Sequence, residues 1–170
     1  MKSDMIINTC EYPYSVGWAI TNRCNLRCVH CNMNSGDALN NELKTDDCIK
    51  IIDKLAENKV QRITFFGGEP LVRKDFFQIA NYVYNKGIFI NMTTNALMIT
   101  EEMIKNELYK FDMVRVSLDG PNAETHEFIR NKKGAFDETI NRIKMLVKNG
   151  IDVGVVTCIS HRNLKYIKEM

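Results

Sequence analysis

The sequence predicts an α/β fold built on a parallel sheet, and three observations carry that expectation. Five short runs rich in β-branched and aromatic residues recur along the chain, the segments between them repeat apolar residues at three- and four-residue spacing, and two of those segments end in a glycine. Strand and helix in steady alternation means right-handed crossovers and parallel pairing, as an α/β barrel or as an open doubly wound sheet.

The runs are 15–20, 62–66, 88–93, 113–118 and 152–159, several of them apolar enough to be covered on both faces. After the first, Cys48, Ile51, Ile52 and Leu55 share one helical face; after the second, Phe76, Ile79, Ala80 and Val83 do; before the fifth, Ile140, Ile143 and Val147 do. Thr45, followed by Asp46 and Asp47, suits a helix N-terminus. Gly87 and Gly150 stand where a helix wants a left-handed C-terminal residue. The segment from Asn122 to Arg130 predicts a short extra helix after the fourth run, and Asn163 is placed to cap a fifth helix at the chain end. No linker, longer repeat or low-complexity tract interrupts the pattern.

With 170 residues, 45% of them hydrophobic, one core and one domain over 1–170 are expected. Lys and Arg number 23 against 21 Asp and Glu, and no like-charge run exceeds Lys132-Lys133, so nucleic acid is not an expected partner. The opening MKSDMIINTC places Asp4 where an export signal would be apolar, and nowhere do 18 uncharged apolar residues follow one another. A cytoplasmic protein with no membrane partner is expected. Six cysteines in such a chain read as metal or catalytic thiols rather than disulfide staples.

In either α/β architecture the ligand sits at the carboxyl ends of the strands, so the residues just after each run are where chemistry is sought. After the first comes Thr21-Asn22-Arg23-Cys24-Asn25-Leu26-Arg27-Cys28-Val29-His30-Cys31. A short loop with this spacing can fold three thiolates onto one cuboidal iron–sulfur cluster, leaving one iron open, whereas electron-transfer clusters use four cysteines. The alternatives are zinc and three reduced, metal-free thiols. Zinc needs a fourth ligand, and His30 is awkwardly adjacent to Cys31 while Cys10 lies well upstream. Cys48 and Cys158 sit in apolar patterns and read as buried thiols.

The C-x3-C-x-φ-C arrangement, with His30 at φ, resembles the signature of the radical S-adenosylmethionine (radical SAM) superfamily. The resemblance implies a [4Fe–4S] cluster on Cys24, Cys28 and Cys31, S-adenosylmethionine on the open iron, and His30 against the adenine. Gly67-Gly68-Glu69-Pro70 is similar to the family's GGEP motif, whose backbone carbonyls and carboxylate take the cofactor's amino group. Thr94-Asn95-Ala96 is similar to a TNG ending with alanine in place of glycine, and Thr94 and Asn95 are carried over as cofactor contacts, although a helix-entry turn explains them nearly as well. Ser117-Leu118-Asp119-Gly120 resembles SLDG, which makes Ser117 and Asp119 cofactor-site residues. Thr157 is placed to reach the adenine or ribose, or simply to pack.

His126, Arg130, Gly134 and Phe136 resemble the H-D-x-x-R-G…G-x-F stretch of the peptide- and protein-modifying branch, related to sulfatase maturases, where the arginine pairs with the cofactor carboxylate. Glu127 and Asn131 depart from that pattern. The resemblance implies a partial parallel (βα) barrel with five of the usual six units, ending before the sixth strand. It implies a 5′-deoxyadenosyl radical that takes a hydrogen atom from a peptide or protein, or alternatively from a small-molecule cofactor precursor, and a low-potential electron donor such as flavodoxin or ferredoxin. A non-enzymatic metal module is the rival outside the enzyme class.

Overall fold

The structure, a computed structural model, describes residues 12–170. Cys10 and the opening segment lie outside the described residues.

Five strands, β1 (Ser15–Thr21), β2 (Arg62–Gly67), β3 (Phe89–Thr94), β4 (Met113–Ser117) and β5 (Val153–Val156), form one sheet in the order β1-β2-β3-β4-β5. Every neighbouring pair is parallel. A doubly wound sheet reverses its strand order at a switch point; this one never reverses, so the crossovers lie on one side and the sheet curls as a barrel wall. The alternative left open by the sequence is thereby settled in favour of the barrel type.

Helices α1 (Thr45–Glu57), α2 (Phe76–Asn85), α3 (Glu101–Asn106), α4 (Ala123–Arg130) and α5 (Ala135–Lys148) fill the crossovers. They cover one face of the sheet, where Ile63 and Phe65, Ile90 and Met92, and Val114 and Val116 are buried against Ile52, Ile79 and Leu146. Phe65 meets Phe76 edge-on at 5.5 Å. The opposite face is not an apolar core, contrary to the reading of strands covered on both sides. Its Thr64, Thr93, Arg115 and Ser117 are only half-buried, and Thr93 and Ser117 line a cavity.

Gly87 and Gly150 take left-handed φ of 72° and 74° after α2 and α5, as the sequence requires. Other expectations need correction. Thr45 is the first helical residue, not the cap, and donates to Asp75 at 2.6 Å. Ile51 and Val147 are exposed, each lying one residue off its helix's buried line of Cys48 and Ile52 or of Thr139 and Leu146. β5 keeps only four residues, and Cys158 beyond it is exposed, because no strand flanks β5 on its far side among the described residues. Cys48 is buried as expected. Asn163 precedes a 3-10 turn (Leu164–Glu169) without capping it; its side chain is turned into the protein instead.

Candidate functional site

The carboxyl ends of β1 to β4 open on a cavity of about 270 Å3 whose lining includes Cys24, Cys28, His30, Cys31, Gly67, Gly68, Thr94, Asn95, Ser117 and Arg130. Ten of the thirteen residues that the resemblance assigns to cluster and cofactor therefore share one wall. Glu69, Pro70 and Asp119 stand behind it.

The cysteine loop owes its shape to distant backbone. Its stem forms a short parallel bridge, with Cys24 N donating to Gly36 O and Gly36 N to Asn22 O, both at 2.9 Å. Gly68 N donates to Thr21 O at 2.8 Å and Glu69 N to Arg23 O at 2.9 Å. A Cβ on Gly68 would stand 2.1 Å from Arg23 O, and one on Gly67, whose φ is 134°, 2.4 Å from Thr21 O. These glycines are thus required first by the approach of the loop's own stem, in addition to facing the cavity. On the far side Val29 N donates to Ile129 O at 3.0 Å, hooking the loop onto the last turn of α4.

Each of the three sulfurs receives at least one donor. Leu26 N lies 3.4 Å from Cys24 Sγ, Ser35 N 3.4 Å from Cys31 Sγ, and Arg130 Nη1 3.8 Å from Cys28 Sγ. Burial pushes the Cys24 and Cys28 thiols up, with the Leu26 amide and the Arg130 guanidinium pulling back. At Cys31 burial also raises, but the donors of Ser35, Met33 and Asn34 together outweigh it and hold the thiol below its usual value. All three cysteines are free thiols. Among the described residues no three Cys, His, Asp or Glu side chains converge as ligands of a single ion. Tetrahedral zinc finds no ready cage, while three thiols around one open cavity suit the larger footprint of a polynuclear cluster.

Glu69 is fully buried, and its carboxylate is occupied: Oε1 accepts from Leu71 N at 3.2 Å and Thr94 Oγ1 at 2.8 Å, and Oε2 from Asn95 N at 2.8 Å. Pro70 is buried at the start of the 3-10 turn Pro70–Val72. Asn95 reaches back to the cysteine loop, Nδ2 donating to Asn25 Oδ1 at 2.7 Å. Ala96 adopts φ 66°, the left-handed conformation glycine prefers.

Asp119, whose side chain has no exposed surface, joins four parts of the chain. Its Oδ2 lies 2.7 Å from Arg130 Nη2 and 3.7 Å from His30 Nε2, while Oδ1 accepts from Cys158 N at 2.9 Å. Its amide donates to His126 Nδ1 at 3.1 Å, which makes that nitrogen the unprotonated one. His126 is buried, and burial holds its pKa down to about 4. Asn131, one of the departures from the pattern, takes φ 53° at the end of α4, so it provides the conformation a glycine would. Thr157 Oγ1 donates to Leu118 O at 2.7 Å and ties the β4 and β5 loops together.

Three participants were not read from the sequence as site residues, Asn163 having been expected only as a helix cap. Glu42 accepts from Thr21 Oγ1, Asn22 N and Leu39 N, clamping residues 39–42 onto the loop stem. Asn25 is an interchangeable position of the cysteine motif by spacing alone. Asn163, fully buried, donates to Asp119 O and Cys158 O and accepts from Ser160 N.

Comparison with known proteins agrees with this geometry. A family profile described as the Radical SAM superfamily matches residues 18–170. The AdoMet-dependent heme synthase of Methanosarcina barkeri is 37% identical over 157 residues, covering 91% of this chain and 45% of that protein. The mycofactocin maturase MftC of Mycolicibacterium smegmatis is 34% identical over 161 residues, covering 94% and 41%. Among solved structures, anSMEcpe with bound AdoMet superposes with a TM-score of 0.72 at 20% identity, over 91% of this chain and 48% of that one. Streptococcus suis SuiB bound to precursor peptide SuiA gives 0.74 at 21%, over 93% and 37%. The chain thus spans less than half the length of these relatives.

Proposed function

The chain belongs to the radical SAM superfamily, and from that premise we propose that residues 1–170 are the core domain of an enzyme that binds a [4Fe–4S] cluster and S-adenosylmethionine and abstracts hydrogen from a peptide or protein. The observation that carries the reading is the meeting of three free thiols, each with its own donor, with the strand ends of β2, β3 and β4 around one cavity. Together, cluster and S-adenosylmethionine supply, when bound, one-electron cleavage of the sulfonium to a 5′-deoxyadenosyl radical.

Cys24, Cys28 and Cys31 are the cluster ligands in this proposal. Gly67 and Gly68 offer backbone carbonyls to an ammonium group, Ser117 and Arg130 a hydroxyl and a cation to a carboxylate, and His30 a ring face to the adenine. Thr94 and Asn95 complete the wall. Glu69, Pro70 and Asp119 act from behind it, fixing the backbone that the cofactor meets. A low-potential flavodoxin or ferredoxin is the electron donor, and a cytoplasmic setting keeps the thiols reduced. No helix among the described residues is long and apolar enough to cross a membrane.

A peptide or protein substrate is supported by the maturase relative, by the SuiB likeness and by the H-x3-R stretch of α4, whose Asn131 preserves the backbone turn. A small-molecule substrate is the second reading, favoured by the heme synthase relative.

The test is anaerobic reconstitution of the wild-type chain and of Cys24→Ala, Cys28→Ala, Cys31→Ala and Cys48→Ala. Iron and sulfide are expected in the wild type and in Cys48→Ala and lost from the other three, with 5′-deoxyadenosine released when dithionite and S-adenosylmethionine are added to the reconstituted wild type. Zinc in place of iron, or equal loss in all four variants, would overturn the reading.

A further inference from the structure

The three sulfurs are not equivalent. Cys24 and Cys31 receive neutral backbone amides, whereas Cys28 receives the guanidinium of Arg130. That guanidinium is buried to 11% exposure and is held from behind by Asp119, which the Cys158 amide and the His126 ring fix in turn. Resting on the cluster reading above, we propose that Arg130, oriented by Asp119, is a hydrogen-bond donor to the Cys28 sulfur that raises the reduction potential of the cluster on this loop.

The physics is direct. Reduction adds one negative charge to the cluster, and a cation a few ångströms from one of its sulfurs stabilises that charge more than it stabilises the oxidised form. Burial makes the effect larger than at a surface, because little water screens it. Arg suits the task better than Lys: its planar fork brings Nη2 to the Asp119 carboxylate and Nη1 to the Cys28 sulfur at the same time, which a single ammonium does poorly. Asp119 is therefore a positioning residue, acting on the cluster through Arg130, and not a contact to it.

The experiment is a redox titration of the reconstituted protein without S-adenosylmethionine, followed by electron paramagnetic resonance of the reduced cluster, on the wild type, Arg130→Gln, Arg130→Lys and Asp119→Asn. Arg130→Gln is expected to lower the ratio of reduced to oxidised cluster at a fixed potential about tenfold, equivalent to about 59 mV for one electron. Arg130→Lys should shift it in the same direction by less. The Asp119→Asn result discriminates: removal of an anion alone raises the potential, whereas release of Arg130 from Cys28 lowers it, and the second is expected. Unchanged potentials in both Arg130 variants would overturn the proposal, and a rise in Asp119→Asn would overturn the positioning part. Should Arg130→Gln fail to fold around its unpaired Asp119, the charge-preserving Arg130→Lys decides. A wild type that takes up no iron would overturn the cluster reading itself, a failure distinct from an iron-loaded protein with an unmoved potential.

Discussion

Substituting Glu69 with glutamine should destabilise the fold although it removes a buried charge. Every group around the carboxylate is a donor: Leu71 N, Thr94 Oγ1 and Asn95 N. Thr94 Oγ1 itself accepts from Ala96 N at 2.9 Å, so its single proton is committed to Glu69. An amide in this place turns its NH2 towards at least one of these donors whichever way it is flipped. One charge-assisted bond is lost, about 1.5–3 kcal/mol, and one buried N–H is left without a partner, about 1–3 kcal/mol. Part is offset because burial opposes the ionised form, pushing the Glu69 carboxyl up. A net loss of about 2–3 kcal/mol is expected, which for a chain of this size lowers Tm by about 4–12 °C. Urea and thermal denaturation of Glu69→Gln beside the parent chain measure it. Stability within about 0.5 kcal/mol of the parent would mean that Glu69 is already protonated in the folded state and that the acceptor-only argument is wrong.

Three further outcomes follow from the same geometry. Gly68→Ala must move β2 or the loop stem by an ångström or so, weakening the Gly68–Thr21 and Glu69–Arg23 bonds; a loss of about 2–4 kcal/mol by urea denaturation is expected, together with reduced iron uptake on reconstitution. His126 is held neutral with its pKa lowered from 6.5 to about 4, so the unfolded chain binds the extra proton first and stability falls as pH drops through that window, levelling off below it. Denaturation midpoints measured from pH 7 to 4 should decline less steeply in His126→Gln. Asn163→Ala leaves two carbonyls and the Ser160 amide without partners, and about 2–3 kcal/mol of stability should be lost, read by the same denaturation.

The alternation of strand and helix was legible because it depends on local periodicity: the five runs became five strands, and Gly87 and Gly150 ended α2 and α5 with positive φ. The cysteine loop was legible because three thiols at fixed spacing on one loop must share a neighbourhood. Orientation was not. Glu69 and Asp119 are motif residues whose carboxylates turn away from the cavity, and only the positions of Thr94, Asn95, Arg130 and Cys158, up to tens of residues away, decide that. Spacing also misjudged Cys158, since an apolar pattern on an edge strand does not guarantee a neighbour to bury it. Asn131 looked like a departure from the pattern, yet its left-handed φ preserves what the glycine would supply. Glu42 gave no sign and Asn163 read only as a helix cap, because a single polar residue in a loop announces neither its partners nor its burial.

The anchoring of the cysteine loop has a consequence for biosynthesis. Its thiols leave the ribosome before Gly68, Asn95 and Ile129, and Arg130 follows Cys28 by 102 residues. At about 5–20 residues per second, translation needs roughly 5–20 s to supply that last clamp. During that interval the nascent chain presents three thiols with no fixed geometry, open to oxidation or to the wrong metal, so delivery of iron and sulfide is best timed after α4 has docked.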